Sequence, residues 1–332
     1  MNQKALQTLE YNKIIAKLAE YATSPLGREL CNALIPSSNL DEIIQTQTET
    51  TDALTRIRQK GGISFSGIHS ISDSLKRLEI GSSLGIVELL SISSQLTVAA
   101  RAKSYGRHEE SPLPSDSLEE MFRALEPLTP LNTEIKRCIL SEDEISDDAS
   151  PGLRHVRRQM RGIGDRIHVQ LNSILNSSRA YLQDAVITMR DGRYCLPVKV
   201  EHKGQVAGMV HDQSSTGSTL FIEPMAIIKL NNELRELEIQ EKKEIEAVLA
   251  DLSNQTAPYT ETLRTNQEVL AKLDFIFAKA ALSRHYKGSE PKFNNKGVIH
   301  IKDGRHPLLD PQKVVPITIR LGKEFDLLIV TG

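Results

Sequence analysis

The sequence predicts a mainly α fold: a helical core, a long antiparallel coiled-coil lever and a small antiparallel β tip carried on that lever. Three observations predict it. Leu153, Val156, Met160, Ile163, Ile167, Leu171 and Ile174 recur at steps of three and four, the seam of a coiled-coil helix. Ile227, Leu230, Leu234, Leu237, Ile245, Val248 and Leu252 do the same, with Glu241 as one polar interruption. Between these segments, residues 184–224 lose the helical period and take up alternation and turn dipeptides. Each apolar segment is about thirty residues, roughly 45 Å of helix at 1.5 Å per residue. Two such helices enclosing one strand-rich meander are built most simply as an antiparallel pair.

Residues 2–110 read as a run of helices. Leu6, Leu9, Ile14, Ile15 and Leu18 form an apolar stripe that Ser24-Pro25 and Gly27 interrupt. Ile35-Pro36 stops the next helix, and Asp41 caps one that continues to about Gln59. Gly61-Gly62 and Gly67 punctuate a loop, after which Ile71, Leu75, Leu78, Leu89, Ile92 and Leu96 resume helical spacing. Ser111-Pro112-Leu113-Pro114-Ser115 is a linker-like segment. Leu118 to Cys138 is helical with interruptions at Pro127 and Pro130. The acidic run Glu142, Asp143, Glu144, Asp147, Asp148 leads to Ser150-Pro151, an N-cap followed by proline at the first helical position. Negative charge there suits a helix N-terminus.

The β tip is expected to hold four strands, near 185–190, 193–200, 205–212 and 217–222. Tyr194, Leu196, Val198 and Val200 alternate with Cys195, Lys199 and Glu201, as on a half-buried strand. Asp191-Gly192 is a hairpin turn, because both residues tolerate positive φ. Lys203-Gly204 and Ser214-Ser215-Thr216-Gly217 supply two more turns. After the second arm, Leu263 to Arg284 is apolar enough to be a buried helix, with Leu270, Leu273, Phe275, Ile276, Phe277, Ala280 and Leu282. From about Pro291 the character changes. Val298–Ile301, Ile317–Ile319 and Leu327–Val330 read as strands.

A chain of 332 residues is long enough for two or more domains. Its boundaries are placed at 1–150 (helical core), 151–183 (first arm), 184–224 (β tip), 225–255 (second arm), 256–290 (return to the core) and 291–332. A net charge of −2 excludes global attraction to nucleic acid, so any such surface has to be a local patch. Cys31, Cys138 and Cys195 are odd in number and far apart, which points to reduced thiols in a cytoplasmic protein. The N-terminus has no signal-peptide core, and no apolar run approaches the ~18 residues of a membrane span.

Arg154, Arg157, Arg158 and Arg161 line one helix face at i, i+3, i+4 and i+7. Guanidinium groups match phosphate oxygens bidentately, so one reading is contact with nucleic acid. The other is helix pairing, since residues 231–251 of the second arm carry seven acidic and three basic side chains. Antiparallel pairing is expected to set these arginines near Val248–Asp251. On the tip, Arg190, Arg193, Lys199 and Lys203 are balanced by Asp191, Glu201, Asp212 and Glu223. A polar turn with Ser214 and Ser215 can hydrogen-bond a nucleic-acid backbone, or simply be solvated. His211-Asp212-Gln213-Ser214-Ser215 are too close in sequence to converge on one proton relay, so no catalytic residue is assigned. The histidines show no metal-ligand spacing. A strand leading to Gly332 is how a G-x-x-x-x-G-K-[ST] phosphate loop begins, yet no lysine follows.

Arg190-Asp-Gly-Arg-Tyr-Cys-Leu-Pro-Val-Lys199, Val210-His-Asp-Gln-Ser-Ser-Thr-Gly217, Phe221-Ile-Glu-Pro224 and Leu230-Asn-Asn-Glu-Leu234 resemble the MutS superfamily, specifically its type-two branch. Asp148-Ala-Ser-Pro-Gly-Leu-Arg154 is similar to that branch as well. Leu273-Asp274, Arg305-His306-Pro307 and Val330-Thr-Gly332 resemble the entry to the MutS ATPase in general. The resemblance implies that 184–224 is a clamp on a lever, and that residues from about 291 are the first strands of a truncated α/β ATPase domain. It implies ATP and Mg as cofactors of the longer protein, with Val315 and Pro316 bordering the adenine pocket and Gly332 opening the phosphate loop. It implies an Smr nuclease domain further on, and a homodimer. Its implied partners are branched DNA in recombination control, or collided ribosomes and their rRNA. By itself, the chain is expected to bind no ATP and to hydrolyse none. Phe221-Ile-Glu223 spells a mismatch wedge, but it falls in the clamp and reads as coincidence. A coiled-coil scaffold that touches no nucleic acid is the alternative function, and the turn chemistry of the β tip argues against it.

Overall fold

The computed structural model describes residues 3–107 and 116–329. The linker expected at 111–115 lies outside them, as do Val330, Thr331 and Gly332. Eight helices come first: α1 (Gln3–Thr8), α2 (Tyr11–Tyr21), α3 (Pro25–Asn32), α4 (Leu40–Lys60), α5 (Ser72–Glu79), α6 (Ile86–Gly106), α7 (Glu119–Ala124) and α8 (Thr129–Cys138). Strands β1 (Ile139–Ser141) and β2 (Glu144–Ile145) precede α9 (Pro151–Ser177). The tip holds β3 (Thr188–Arg190), β4 (Arg193–Lys199), β5 (Gly208–Gln213) and β6 (Thr219–Pro224). Then follow α10 (Ile228–Thr256), α11 (Thr260–Tyr286), β7 (Ile299–Gly304) and β8 (Ile317–Leu321). The predominance of helix is as the sequence predicts.

The chain forms two compact units, one from the described parts of Met1–Ser82, Val87–Thr133 and Thr256–Gly332, the other from Ser83–Ile86 and Glu134–Gln255. Residues 134–150, assigned from sequence to the helical core, therefore group with the lever.

In the first unit α11 is the central element. Its Leu270, Leu273, Ile276, Phe277 and Ala280 pack with Ala53, Leu54 and Ile57 of α4 and with Val98, Ala99 and Ala102 of α6. Asp274, 1% exposed, accepts hydrogen bonds from the backbone N–H and hydroxyl of both Thr23 and Ser24, at 2.5–3.0 Å. Ser24 also caps α3 by accepting from the Gly27 N–H, with Pro25 at the first helical position. A Cβ on Gly27 would come within 2.1 Å of Asp274 Oδ2, so this glycine lets α3 approach α11. The cap of α4 is Asn39, which accepts from the N–H groups of Asp41 and Glu42, and not Asp41 as the sequence suggests. Pro130 likewise opens α8 instead of interrupting a helix, because proline lacks the N–H that a first turn leaves unused. Only two of the three C-terminal strands form among the described residues. β7 and β8 pair antiparallel, while Leu327 and Ile329 remain exposed and outside any strand. An apolar run becomes a buried strand only where neighbours cover it.

In the second unit, Ser150 caps α9 by accepting from the Leu153 N–H, with Pro151 at the first helical position. α9 and α10 run antiparallel: Gly152 meets Glu244, Arg157 meets Glu241, and Ile167 and Leu171 share a core with Leu230 and Leu234. This register lies about two turns from the expected one, which had set the arginines beside Val248–Asp251. The sheet order is β3-β4-β6-β5, all antiparallel, so the tip is not the simple meander expected. A 3-10 turn, Val200–His202, carries the chain out of β4 and leaves the place beside it to β6. β4 is also buried on both faces, from Cys195 to Val198, where half-burial was expected. Pro197 fits inside it because its carbonyl accepts from the Gln183 N–H on a side where β3 has already ended.

Candidate nucleic-acid interface

The site is built on the Asp191-Gly192 turn, where φ is 49° and 73°, as the dipeptide predicts. That turn returns β4 alongside β3 and delivers Arg193 and Tyr194 to the start of α10. Glu223 at the end of β6 is fully buried. Its carboxylate receives Arg193 Nη1 at 2.9 Å, Asn231 Nδ2 at 2.7 Å and His211 Nε2 at 2.5 Å. Arg193 also donates to Asn232 Oδ1 at 2.8 Å, and Asn231 brackets the Tyr194 backbone from both sides. Buried charge is tolerated only when paired and hydrogen-bonded, and here β4, β5, β6 and α10 all contribute to that pairing. The sheet is thereby seated on the second arm. From sequence Glu223 and Asn231 stand in family-like motifs, Glu223 as a balancing charge, but neither is assigned to a buried cluster; an acid ending a strand and Asn-Asn at a helix start were the available signal.

At the other end of β4 and β6 lies the Ser214–Ser218 turn. The Ser214 N–H donates to the Thr219 carbonyl, the Ser214 carbonyl accepts from the Gly217 N–H, and the Ser214 hydroxyl accepts from the Thr219 N–H at 3.1 Å. Ser214, Thr216 and Ser218 form a chain of hydroxyls at 3.3 and 2.9 Å, and Gly217 holds φ at 73°. Lys199 pairs in register with Thr219, and the Val200 N–H bonds the Ser218 carbonyl, so Lys199 and the turn are neighbours. Lys203 follows on the next turn and is exposed, as is Ser215. Among the described residues neither lysine has a carboxylate within ion-pair distance, although Glu201 sits on the same turn.

The other basic candidates are engaged. Arg190 pairs with Asp212 at 3.1 Å and lies 3.8 Å over the Phe221 ring. Arg154 meets Asp148 at 2.6 Å, and Arg161 meets Asp147 at 2.9 Å. Arg157 holds Asp147 at 2.8 Å, Glu241 at 2.6 Å and the Ile145 carbonyl at 2.6 Å. Hydrogen bonds from Arg157 and then Arg161 draw the Asp147 carboxyl below its ordinary value. Among the described residues Arg158 reaches only His155. The arginine row therefore fastens the acidic segment before α9, with one bond to the second arm, and Arg158 alone in it has no acid partner among the described residues. Phe221 lies beneath Arg190, and Glu223 is held by Arg193, His211 and Asn231. His211 turns to Glu223 and not to Asp212, so the residues 211–215 assemble no relay.

Val315 and Pro316 are exposed, and the groove that β7 and β8 form, lined in part by Val298, His300, Arg320 and Phe325, includes neither. Gly332 lies outside the described residues. Among the described residues no group of three or more His, Cys, Asp or Glu could hold a metal ion, and no helix is long and apolar enough to cross a membrane. Cys31, Cys138 and Cys195 are free and buried.

No family model matches the chain. It is 60% identical over 339 aligned residues to the endonuclease MutS2 of Lachnoclostridium phytofermentans, covering all of this chain and 43% of that protein. The endonuclease MutS2 of Agathobacter rectalis is 55% identical, and that of Lachnospira eligens 52%, each over all of this chain and 42% of the relative. The chain thus spans about two-fifths of the length of the curated relatives it matches. On the clamp motifs and on similarity over its whole length, this chain belongs to the type-two branch of the MutS superfamily.

Proposed function

We propose that this chain supplies the nucleic-acid grip of a MutS2-type ATPase, with the β tip as the gripping surface. Lys199, Lys203, Ser214 and Ser215 contact the phosphate backbone, Arg158 adds a weaker contact on the first arm, and the remaining arginines hold the scaffold. The observation that carries this reading is the pair of lysines without acid partners beside a hydroxyl-rich turn. Backbone contacts of this kind do not distinguish DNA from RNA, so branched DNA and ribosomal RNA are both substrates on this reading. In the longer protein, ATP with Mg drives a homodimer between states, and the endonuclease activity named for the relatives belongs to the Smr domain. The ion pairing of the arginine row favours a second reading, a coiled-coil scaffold that spaces two partners.

The test is binding of the purified chain to branched DNA and to structured RNA across a salt series. Lys199→Ala with Lys203→Ala is expected to weaken binding to every sequence and to reduce the slope of log affinity against log salt by about 2. Unchanged affinity in the double variant leaves the scaffold reading. Crosslinking in cells then distinguishes recovered DNA from recovered rRNA.

A further inference from the structure

We propose that α9 bends at Gly162–Gly164, so that one arm of the helix pair carries a hinge and the β tip swings on it. The three glycines of this 27-residue helix are not alike. A Cβ on Gly152 would come within 2.1 Å of Glu244 Oε2, so the close approach of α10 accounts for that glycine. A Cβ on Gly162 or Gly164 would meet nothing within 4 Å. Packing gives no reason for either. Glycine inside a helix gains more backbone freedom on unwinding than alanine does, and each one raises local opening by about fivefold. Two of them within three residues mark the place where this helix opens most readily.

Packing between the arms weakens at the same place. Along α9 the buried side chains stop at Val156 and resume at Ile167. Along α10 they stop at Leu234 and resume at Val248. Across the interval the apolar side chains stay half-buried, Met160 and Ile163 of α9 against the edge of the core beneath the sheet and Leu237 and Ile245 on α10, and the Arg157–Glu241 pair crosses its far end. The helix is anchored on both sides of the two glycines. Arg157 is tied to Glu241 and Asp147 on one side, and Ile167 and Leu171 enter the core beneath the sheet on the other. α10 has neither glycine nor proline between Ile228 and Thr256. The facing helix is thus the stiff member, and bending concentrates in α9. The inference rests on glycine chemistry and side-chain packing, and it stands whether or not the tip binds nucleic acid.

Amide hydrogen exchange on the whole 332-residue chain tests it. Residues 160–166 are expected to exchange at least tenfold faster than residues 169–176 and than the facing stretch 232–238. The double variant Gly162→Ala, Gly164→Ala is accommodated without a clash and is expected to slow exchange in that stretch by roughly tenfold or more. Bending, as opposed to local fraying, is read by spin labels at Val169→Cys and Glu246→Cys, one on each side of the interval. Their distance distribution is expected to be broad, and to narrow in the double alanine variant. Uniform exchange along α9, or one narrow distance shared by both proteins, overturns the hinge.

Discussion

Arg157 Nε stands 2.6 Å from Glu241 Oε1, and this pair, with the close approach of Gly152 to Glu244, marks how the two long helices of the lever line up. The same guanidinium reaches back to Asp147 and to the Ile145 carbonyl, so it also fastens the segment that precedes α9. Hydrogen bonds from a charged donor contribute more than neutral ones, and the site is half-buried. Arg157→Ala is therefore expected to lower unfolding stability by about 1–2 kcal/mol. Arg158→Ala, one residue on and without an acid partner among the described residues, should change it by less than about 0.5 kcal/mol. Urea denaturation of the two variants decides the point, and equal effects would show that the pair does not set the register.

Acid should loosen the same junction. Arg157 and Arg161 hold the Asp147 carboxyl below its ordinary value of 3.8. A depressed folded-state value means that the stabilisation is fully present above pH 3.8 and is lost as pH falls through the lower, folded-state value. In Asp147→Asn this part of the acid-side slope is expected to disappear while stability near neutral pH drops slightly. A thermal melting series from pH 6 to 2 measures it; identical slopes in both proteins would contradict the assignment.

Glu223 is the one acceptor shared by Arg193, His211 and Asn231. Removing it leaves a half-buried guanidinium and a buried amide without their partner, which costs about 3 kcal/mol or more. Glu223→Ala is expected to unseat the sheet from α10, and Glu223→Gln, which keeps the shape and an acceptor oxygen, to cost less. Denaturation followed at once by far-ultraviolet and tyrosine signals reports this. A Glu223→Ala protein as stable as the parent would remove the carboxylate from its role.

The three thiols should be slow to react. Burial, reinforced by Glu223 beside Cys195 and by Asp274 beside Cys31, pushes both thiols up to about 11, and burial also raises Cys138. At pH 8 a thiol reagent is expected to modify the native chain far more slowly than the denatured chain. Because the folded values lie above the ordinary 9.0, this contribution to stability is present below pH 9 and fades as pH rises towards 11. Rapid labelling of all three thiols in the native chain at pH 8 would contradict the burial.

Features that depend on a few adjacent residues were legible in the sequence. Ser150 and Ser24 cap helices because a hydroxyl before proline has its N–H targets one turn away, and Asp191-Gly192 turns the chain by its own backbone preferences. The seams of α9 and α10 were visible from their spacing. Their relative register was not, since a repeat of three and four matches itself at each turn, and polar and close contacts such as Arg157–Glu241 and Gly152–Glu244 select one. The order β4-β6-β5 was hidden for a similar reason: alternation fixes which face a residue takes and says nothing about which strand lies alongside. The pairing of Arg154 with Asp148 and of Arg161 with Asp147 was hidden because it depends on how the chain folds back before α9, which the helical period of the arginines does not encode.

β5 lies at the margin of its sheet, with Met209 and Val210 exposed, and its pairing with β6 shifts register between Val210 and Asp212. A flat apolar margin would template the addition of foreign chain, whereas a bulge twists the free amides out of line. The irregularity at His211 thus acts as a guard against fibre-like self-association, since it interrupts the row of amides that another β-rich polypeptide would need.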